Sequence, residues 1–461
     1  MITFLAWGMI TVFLVLVMKK KLSPFTALII VPLVFALVGS FMGLYSAQIT
    51  ELWPEVTSPN LWHQIRILGE FTVAGIKKTS TTGIMLLFAI FYFAIMLNAG
   101  MFDPITNAMI RFAKGDPLKV LVAVAIVSAS VSLNGDGTTT TLIVCTAFIP
   151  LFKKLNMKMM NLGVILILMN TIMNLLPWGG PTARVISVLP DLVGKDAEIM
   201  RALMPGMILA TIYMIGVSVF LGLKERKRLG IVKLSEEDFV ALTETVDEAE
   251  LALKRPHLFL FNLSMTIGLI ALLMMKDTFP SVFLFAIGTV IALLVNYPKL
   301  KDQKDRIQDN AGDAVQVVIL VLAAGVFTGI FTATGMSDAL AISLTNMIPA
   351  SFGRFWGLVV ALISAPGTFF LSNDAFYYGV LPVLSEAGAA YGFTQMEMGV
   401  ASLLGQAFHL LSPLVAFIYL LLAKTGLDMY EWQKESAKWA LGIFIIFIAT
   451  AAVFGIVPLM R

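Results

Sequence analysis

A small set of polar residues interrupts long apolar runs, and their types suit ion and anion chemistry. Asp136 stands between Gly135 and Gly137 in the run Ser132-Leu133-Asn134-Gly135-Asp136-Gly137-Thr138-Thr139-Thr140-Thr141. A carboxylate in such surroundings must be paired, protonated or bound to a cation. Asp136 is therefore a candidate metal contact and a candidate proton carrier. The same side chain also fits a helix cap that accepts from the N–H of Thr138 or Thr139. Thr138 and Thr139 are candidate ligands through their hydroxyls, while Thr140 and Thr141 read more as packing. Asp374, preceded by Ser372 and Asn373, repeats the arrangement and is the second candidate for metal and proton. Arg184 follows Trp178-Gly179-Gly180-Pro181-Thr182-Ala183. Its guanidinium fork fits a carboxylate with two bonds. The alternatives are an internal ion pair or an outward reach toward Asp191. The ordinary pKa of histidine lies near neutrality, so His409 is a candidate for proton coupling. Tyr377 and Tyr378 read as core aromatics, Glu386 and Asp313 as boundary groups, and Cys145 as packing.

These residues cluster at four interruptions. Two apolar stretches, about 117–153 and 354–390, are broken in the middle by polar and small residues, and each reads as a re-entrant helical hairpin. Non-helical backbone at membrane depth is tolerated only where protein or a water-filled cavity satisfies it. Two further segments are helices broken at about 170–184 and 405–413. Pro177, Pro181 and Pro413 prevent continuation there. The N–H groups at the start of each second half, with the helix dipole, attract anions. Asn134, Gly135, Gly137, Asn174, Gly179, Gly180, Thr182, Ser372, Asn373, His409 and Ser412 complete the candidate substrate site, placed where the hairpin tips meet the broken helices.

Composition decides what positions them. The chain has 461 residues, 58% hydrophobic and 13% charged, with a mean hydropathy of +0.89. Soluble domains carry roughly 25% charged residues, so this is an all-α polytopic membrane protein. A β-barrel would alternate apolar and polar positions, whereas the apolar runs here are continuous and long enough for helices across the bilayer. Ten spanning segments are expected, at about 2–18, 24–45, 83–102, 158–190, 203–223, 257–275, 281–297, 313–334, 396–423 and 440–458. The first run reads as a span rather than a cleaved leader, because Lys19, Lys20 and Lys21 follow it and no basic residue precedes it.

The distribution of Lys and Arg tests the hairpins. With both termini outside, the inside loops hold 23 of the 32 basic residues and the outside loops 8, with Arg184 at membrane depth. This is the expected positive-inside bias. Counting either hairpin as a full span would reverse every later loop and spoil it. Trp53, Trp62, Trp432 and Trp439 fit interfacial anchors; Trp178 lies in a break. Segment 224–256, with Lys224-Glu225-Arg226-Lys227-Arg228 and acidic residues from Glu236 to Glu250, reads as a solvated linker between two halves.

The halves repeat. Gly100-Met101-Phe102-Asp103 matches Gly335-Met336-Ser337-Asp338 at an offset of 235 residues, and Asn174-Leu175-Leu176-Pro177 aligns with His409-Leu410-Leu411-Ser412 at the same offset. The topology gives the halves opposite orientation. Paired broken segments in an inverted repeat mark the midplane binding site of a transporter. Catalytic motifs for zinc hydrolysis or phosphate binding are missing. A membrane aspartyl protease using Asp136 and Asp374 would leave the broken helices and the repeat unexplained. The charge balance of +3 gives no sign of nucleic-acid binding.

Asn134-Gly135-Asp136-Gly137-Thr138-Thr139, followed by Pro177-Trp178-Gly179-Gly180-Pro181-Thr182-Ala183-Arg184, closely resembles the citrate–Mg2+:H+ / citrate–Ca2+:H+ symporter family over nearly the whole chain. Ser372-Asn373-Asp374 resembles the Ser-Asn-Thr tip of sodium–dicarboxylate symporters in the wider ion transporter superfamily, with a carboxylate replacing the hydroxyl. The resemblance implies uptake of citrate complexed with a divalent metal, driven by protons, by a homodimer in the plasma membrane with an elevator movement. The metal travels as part of the substrate, and no cofactor is implied. Segments 1–113 and 257–348 would be scaffold, 114–223 and 349–461 the mobile transport halves, and 224–256 the cytoplasmic linker. Asn134 departs from the aspartate that relatives often carry, which removes one carboxylate near the metal. The rival readings are a sodium-coupled di- or tricarboxylate symporter, and a cation/proton antiporter or metalloid exporter of the same superfamily.

Overall fold

Long apolar stretches leave the backbone no partner but itself, so the chain folds into helices. The computed structural model describes residues 1–232, 248–275, 279–347 and 349–461, and among these there is no strand. The linker residues Lys233, Glu236, Glu237, Asp238, Glu244 and Asp247 and the outside residue Lys276 lie outside the described residues. Among the described residues, seven helices are long and apolar enough to cross a membrane, and five shorter apolar helices accompany them. The protein is a multi-pass membrane protein.

Local chemistry sets the starts. Ser23 precedes Pro24 and accepts from the Thr26 N–H at 3.2 Å, opening helix Pro24–Phe41. A capping box of Asn60 and His63 opens Leu61–Asn98, and one of Thr394 and Glu397 opens Gln395–Leu403. Asp116 caps Pro117–Val131 and is also bound by Arg226, which closes the end of Asp196–Leu229 against the first hairpin. Burial opposes ionisation of Asp116, but its bonds to the Arg226 guanidinium outweigh that and hold the carboxyl below its ordinary value.

The element order repeats. A long helix (Leu61–Asn98; Leu300–Ala333), a shorter one (Asp103–Ala113; Met336–Met347), a hairpin, a broken helix and a final long helix (Asp196–Leu229; Met429–Val453) occur in each half. The expected spans 83–102 and 313–334 need correction. They are the apolar ends of helices that begin at Leu61 and Leu300, and Lys77, Lys78 and Asp313 lie within these helices instead of in loops or at their edges. Their polar first turns hid the helical continuation.

These two long helices cross with almost no gap. A Cβ added at Gly75 would lie 2.0 Å from the Gly325 carbonyl oxygen and 2.8 Å from the Gly329 Cα. Only glycine admits such an approach of backbone to backbone. Overpacking typically destabilises by about 1–3 kcal/mol. Gly75→Val is therefore expected to lower the melting temperature of the detergent-purified protein by several degrees, read by intrinsic fluorescence. The same change at Gly69, where an added Cβ meets nothing within 4 Å, leaves it unchanged.

The two hairpins form as the sequence implies. The first runs Pro117–Val131, turns at Ser132–Asn134, and returns as Gly137–Lys154. The second runs Trp356–Phe370, turns at 371–374, and continues through a π-helical turn, Ala375–Val380, into Leu381–Ala390. π turns inside helices frequently mark functional sites. The broken helices are Met159–Met173 with Gly180–Val188, and Gln395–Leu403 with Gln406–His409 and Ala416–Thr425.

Candidate functional site

The first hairpin tip is built by its own side chains. Gly135 takes a left-handed backbone (φ +79°), which lets the chain reverse there. Asn134 Oδ1 accepts from the Asp136 N–H at 2.7 Å. Asp136 then caps Gly137–Lys154, accepting from the N–H groups of Thr138 (3.0 Å) and Thr139 (2.8 Å) and from the Thr139 hydroxyl. The cap reading of Asp136 is thus realised, and the carboxylate still faces open space: it is exposed. Thr140 and Thr141 are fully buried.

The first broken helix packs directly onto this tip. Trp178 Nε1 donates to the Leu133 carbonyl at 2.8 Å, and its ring stacks on Phe93, 5.1 Å between centroids. Asn170 Nδ2 donates to Ser132 Oγ at 3.0 Å. Within the break, Asn174 Oδ1 accepts from the Gly180 N–H at 3.3 Å, and the Thr182 hydroxyl donates to the Leu175 carbonyl at 2.8 Å. Gly179 precedes the second half, pressed against the Asn174 carbonyl.

The second half carries Arg184 to the other tip. Its Nε donates to Asp374 Oδ1 at 2.7 Å and its Nη1 to the Gly180 carbonyl at 2.8 Å. Of the three readings open for Arg184, the structure shows the internal ion pair; Asp191 is not its partner. The pair joins the first broken helix to the second hairpin, so it links the two halves of the repeat. Each member is partly buried, with about a fifth of its side chain exposed. Coulombic attraction in such a site is far stronger than in water.

The second tip repeats the plan of the first. Gln406 Nε2 donates to Asn373 Oδ1 at 3.1 Å and to the Tyr377 hydroxyl at 2.6 Å. Gln406 thus plays the part that Asn170 plays in the first half. Ser372 Oγ accepts from the Ala375 N–H at 3.2 Å. His409 lies behind this layer. It is 6% exposed, and its Nδ1–H donates to the Thr368 carbonyl at 2.7 Å. Ser412 is fully buried and its hydroxyl oxygen accepts from the Leu414 N–H.

A cavity of about 510 Å³ opens against the first tip and the first break. Of the residues singled out in the sequence, Asn134, Gly135, Asp136, Thr138, Thr139, Gly180 and Arg184 line it. Gly137, Asn174, Gly179, Thr182, Ser372, Asn373, Asp374, His409 and Ser412 do not line it. Asp374 reaches it only through Arg184, and Asn174, Thr182 and Gly137 shape the wall from behind. The cavity also takes Trp178, Tyr378 and one face of Leu300–Ala333, with Asn310, Asp313 and Gln316 at its polar end. Asp313 is therefore corrected from a boundary group to a cavity residue. Tyr378 is fully buried in its helix yet touches the cavity edge, so it is both core and wall. Asn310 and Gln316 were legible only as polar residues in or beside a long apolar run, and Gln406 only as one more polar residue in the break at 405–413. No group of three or more His, Cys, Asp or Glu side chains is placed to hold a resident metal among the described residues.

The arrangement can hold an anion beside a cation. Arg184 offers positive charge and a planar set of donors, whereas the N–H groups of Gly179 and Gly180 are taken by the Leu176 carbonyl and Asn174 Oδ1. Asp136 and the Thr138 and Thr139 hydroxyls offer oxygen ligands, the kind that hard divalent cations take.

Known proteins resemble the chain over its whole length. The chain is 43% identical over 457 residues, 99% of it and all of the relative, to a protein of Bacillus subtilis (strain 168) named citrate transporter. It is 38% identical over 460 residues, the whole of both chains, to the Mg(2+)/citrate complex secondary transporter of the same organism. Its fold matches that of MtrF from Neisseria gonorrhoeae, described as illuminating a class of antimetabolite efflux pumps. The TM-score is 0.57 at 12% identity, over 93% of this chain and 94% of that one. These proteins are transporters, which sets aside the membrane protease. The family described as CitMHS, citrate transporter, matches residues 12–405, and the chain belongs to it.

Proposed function

We propose that this protein takes up citrate as a complex with a divalent metal, driven by proton symport across the plasma membrane, with both termini outside. The observation that carries the proposal is the cavity's charge. Its walls present the carboxylates of Asp136 and Asp313, while Arg184 is already partnered by Asp374. Bare citrate, a trianion, is repelled there. A complex that brings its own cation offers metal to Asp136 and a carboxylate to Arg184. The similarity to a Mg(2+)/citrate complex secondary transporter supports the same reading.

Coupling follows from the Arg184–Asp374 pair. A citrate carboxylate competes with Asp374 for the guanidinium. Once displaced, Asp374 is left without its ion-pair partner and is the site that takes the proton. Binding of cargo and proton are then linked at one ion pair. Asp136 and His409 are the further proton candidates. His409 stands behind the cavity wall, and its Nδ1 is committed to Thr368. We assign the movement to the hairpins and broken helices of 114–223 and 349–461, sliding as an elevator against 1–113 and 257–348 in a homodimer.

Radiolabelled citrate uptake into proteoliposomes tests the proposal. A pH gradient, acid outside, is expected to drive accumulation at least tenfold above equilibrium when a divalent metal is present. A sodium gradient in its place is expected to drive none. Accumulation that follows sodium and ignores pH would establish the sodium-coupled symporter instead.

A further inference from the structure

One wall of the cavity belongs to neither hairpin nor broken helix. On the long helix Leu300–Ala333, Asn310, Asp313 and Gln316 are spaced by three residues and so lie on one face. Their face continues as Val317, Leu320 and Val321, so the stripe is polar only toward the Leu300 end. The neighbouring charges are otherwise engaged. Arg306 pairs with Asp309 at 2.8 Å, and Asn310 donates to the Arg306 carbonyl at 2.6 Å. Asp313 has no hydrogen-bond or ion-pair partner among the described residues, and it is exposed to the cavity. Asp136 differs: its oxygens already accept from two backbone N–H groups and a hydroxyl. Asp313 is the least satisfied carboxylate that the cavity presents.

We propose that Asp313 is a second contact for the divalent cation of the cargo, offered across the cavity from Asp136, and that it helps to set the cation requirement. The inference rests on the reading of the cargo as a metal–carboxylate complex. A small divalent cation keeps several waters and takes one or two carboxylates in addition to those of its ligand. Asp136 supplies the first from the hairpin. Asp313 supplies the other directly or through a water, with the amide oxygens of Asn310 and Gln316 beside it to hold that water. The two carboxylates stand on different elements, so any sliding of one past the other breaks this contact and makes it specific to the conformation described here.

The sign of one change decides the matter. Citrate with one divalent cation carries a net negative charge. If Asp313 only adds negative field, its neutralisation strengthens cargo binding; if it contacts the cation, neutralisation weakens it. Citrate uptake into proteoliposomes, at varied magnesium–citrate concentration, is compared for wild type, Asp313→Asn and Asp313→Glu. Asp313→Asn is expected to raise KM about tenfold with the maximal rate within about twofold of wild type. Asp313→Glu is expected to recover most of that loss. A KM that is unchanged or lower in Asp313→Asn, with metal-dependent uptake intact in wild type, overturns this inference alone. Absence of metal-dependent uptake in wild type overturns it together with the proposed function.

Discussion

Arg184→Gln is expected to abolish citrate uptake and also citrate exchange, with cargo affinity falling about 100-fold or more. Removing one partner of a desolvated charge pair commonly destabilises by about 2–5 kcal/mol, and here the loss falls twice. The cargo loses its guanidinium, and Asp374 loses the partner that lies 2.7 Å away. Arg184→Lys is not expected to rescue, because an ammonium cannot reach Asp374 and the Gly180 carbonyl together as the planar fork does. Asp374→Asn separates the roles. The amide mimics a protonated carboxyl and leaves Arg184 free for citrate. Exchange of labelled for unlabelled citrate is then expected to persist within about tenfold, while accumulation driven by a pH gradient is lost. His409→Asn is expected to retain most of that accumulation. Full pH-driven accumulation in Asp374→Asn would remove the proton from this pair.

Asp136→Asn is the second large effect. Asparagine is as good a cap as aspartate, so its Oδ1 can still accept an N–H of Thr138 or Thr139 and the hairpin tip survives. What it removes is the charge. Metal–citrate uptake is expected to fall at least 30-fold, while the size-exclusion profile and melting temperature stay near wild type. Asp136→Ala removes the cap too and is expected to lose about 1 kcal/mol of stability besides. The comparison separates structure from cargo at one side chain. Uptake that survives in Asp136→Asn and fails only in Asp136→Ala would make this residue a cap and nothing more.

Much of this architecture was legible before any coordinates. The hairpin turns at 132–136 and 371–374 and both helix breaks fall where polar and small residues interrupt apolar runs, because membrane-embedded backbone can leave the helix only where other groups satisfy it. Helix beginnings were legible only where apolar residues began. Leu61–Asn98 and Leu300–Ala333 extend well beyond the apolar windows, since Arg66, Glu70, Lys77, Asp305 and Arg306 continue a helix that hydropathy cannot register. The same limit concealed Asp313, Asn310 and Gln316, whose role depends on which helix face meets the cavity. It also concealed Asn170 and Gln406, which tie each broken helix to its own hairpin tip. Asp374 was readable as a charged tip residue, but its pairing with Arg184, 190 positions away, is a product of packing the two halves together.

The central claim, that citrate and metal cross as one cargo, is tested most directly by following both at once. Proteoliposomes are given labelled citrate and a labelled divalent cation under a pH gradient, and the accumulated amounts are compared. Uptake of the two in a 1:1 ratio, with both lost on chelation of the metal, is the predicted result. Citrate accumulation that continues unchanged in the presence of a chelator, with no cation entering, would contradict it.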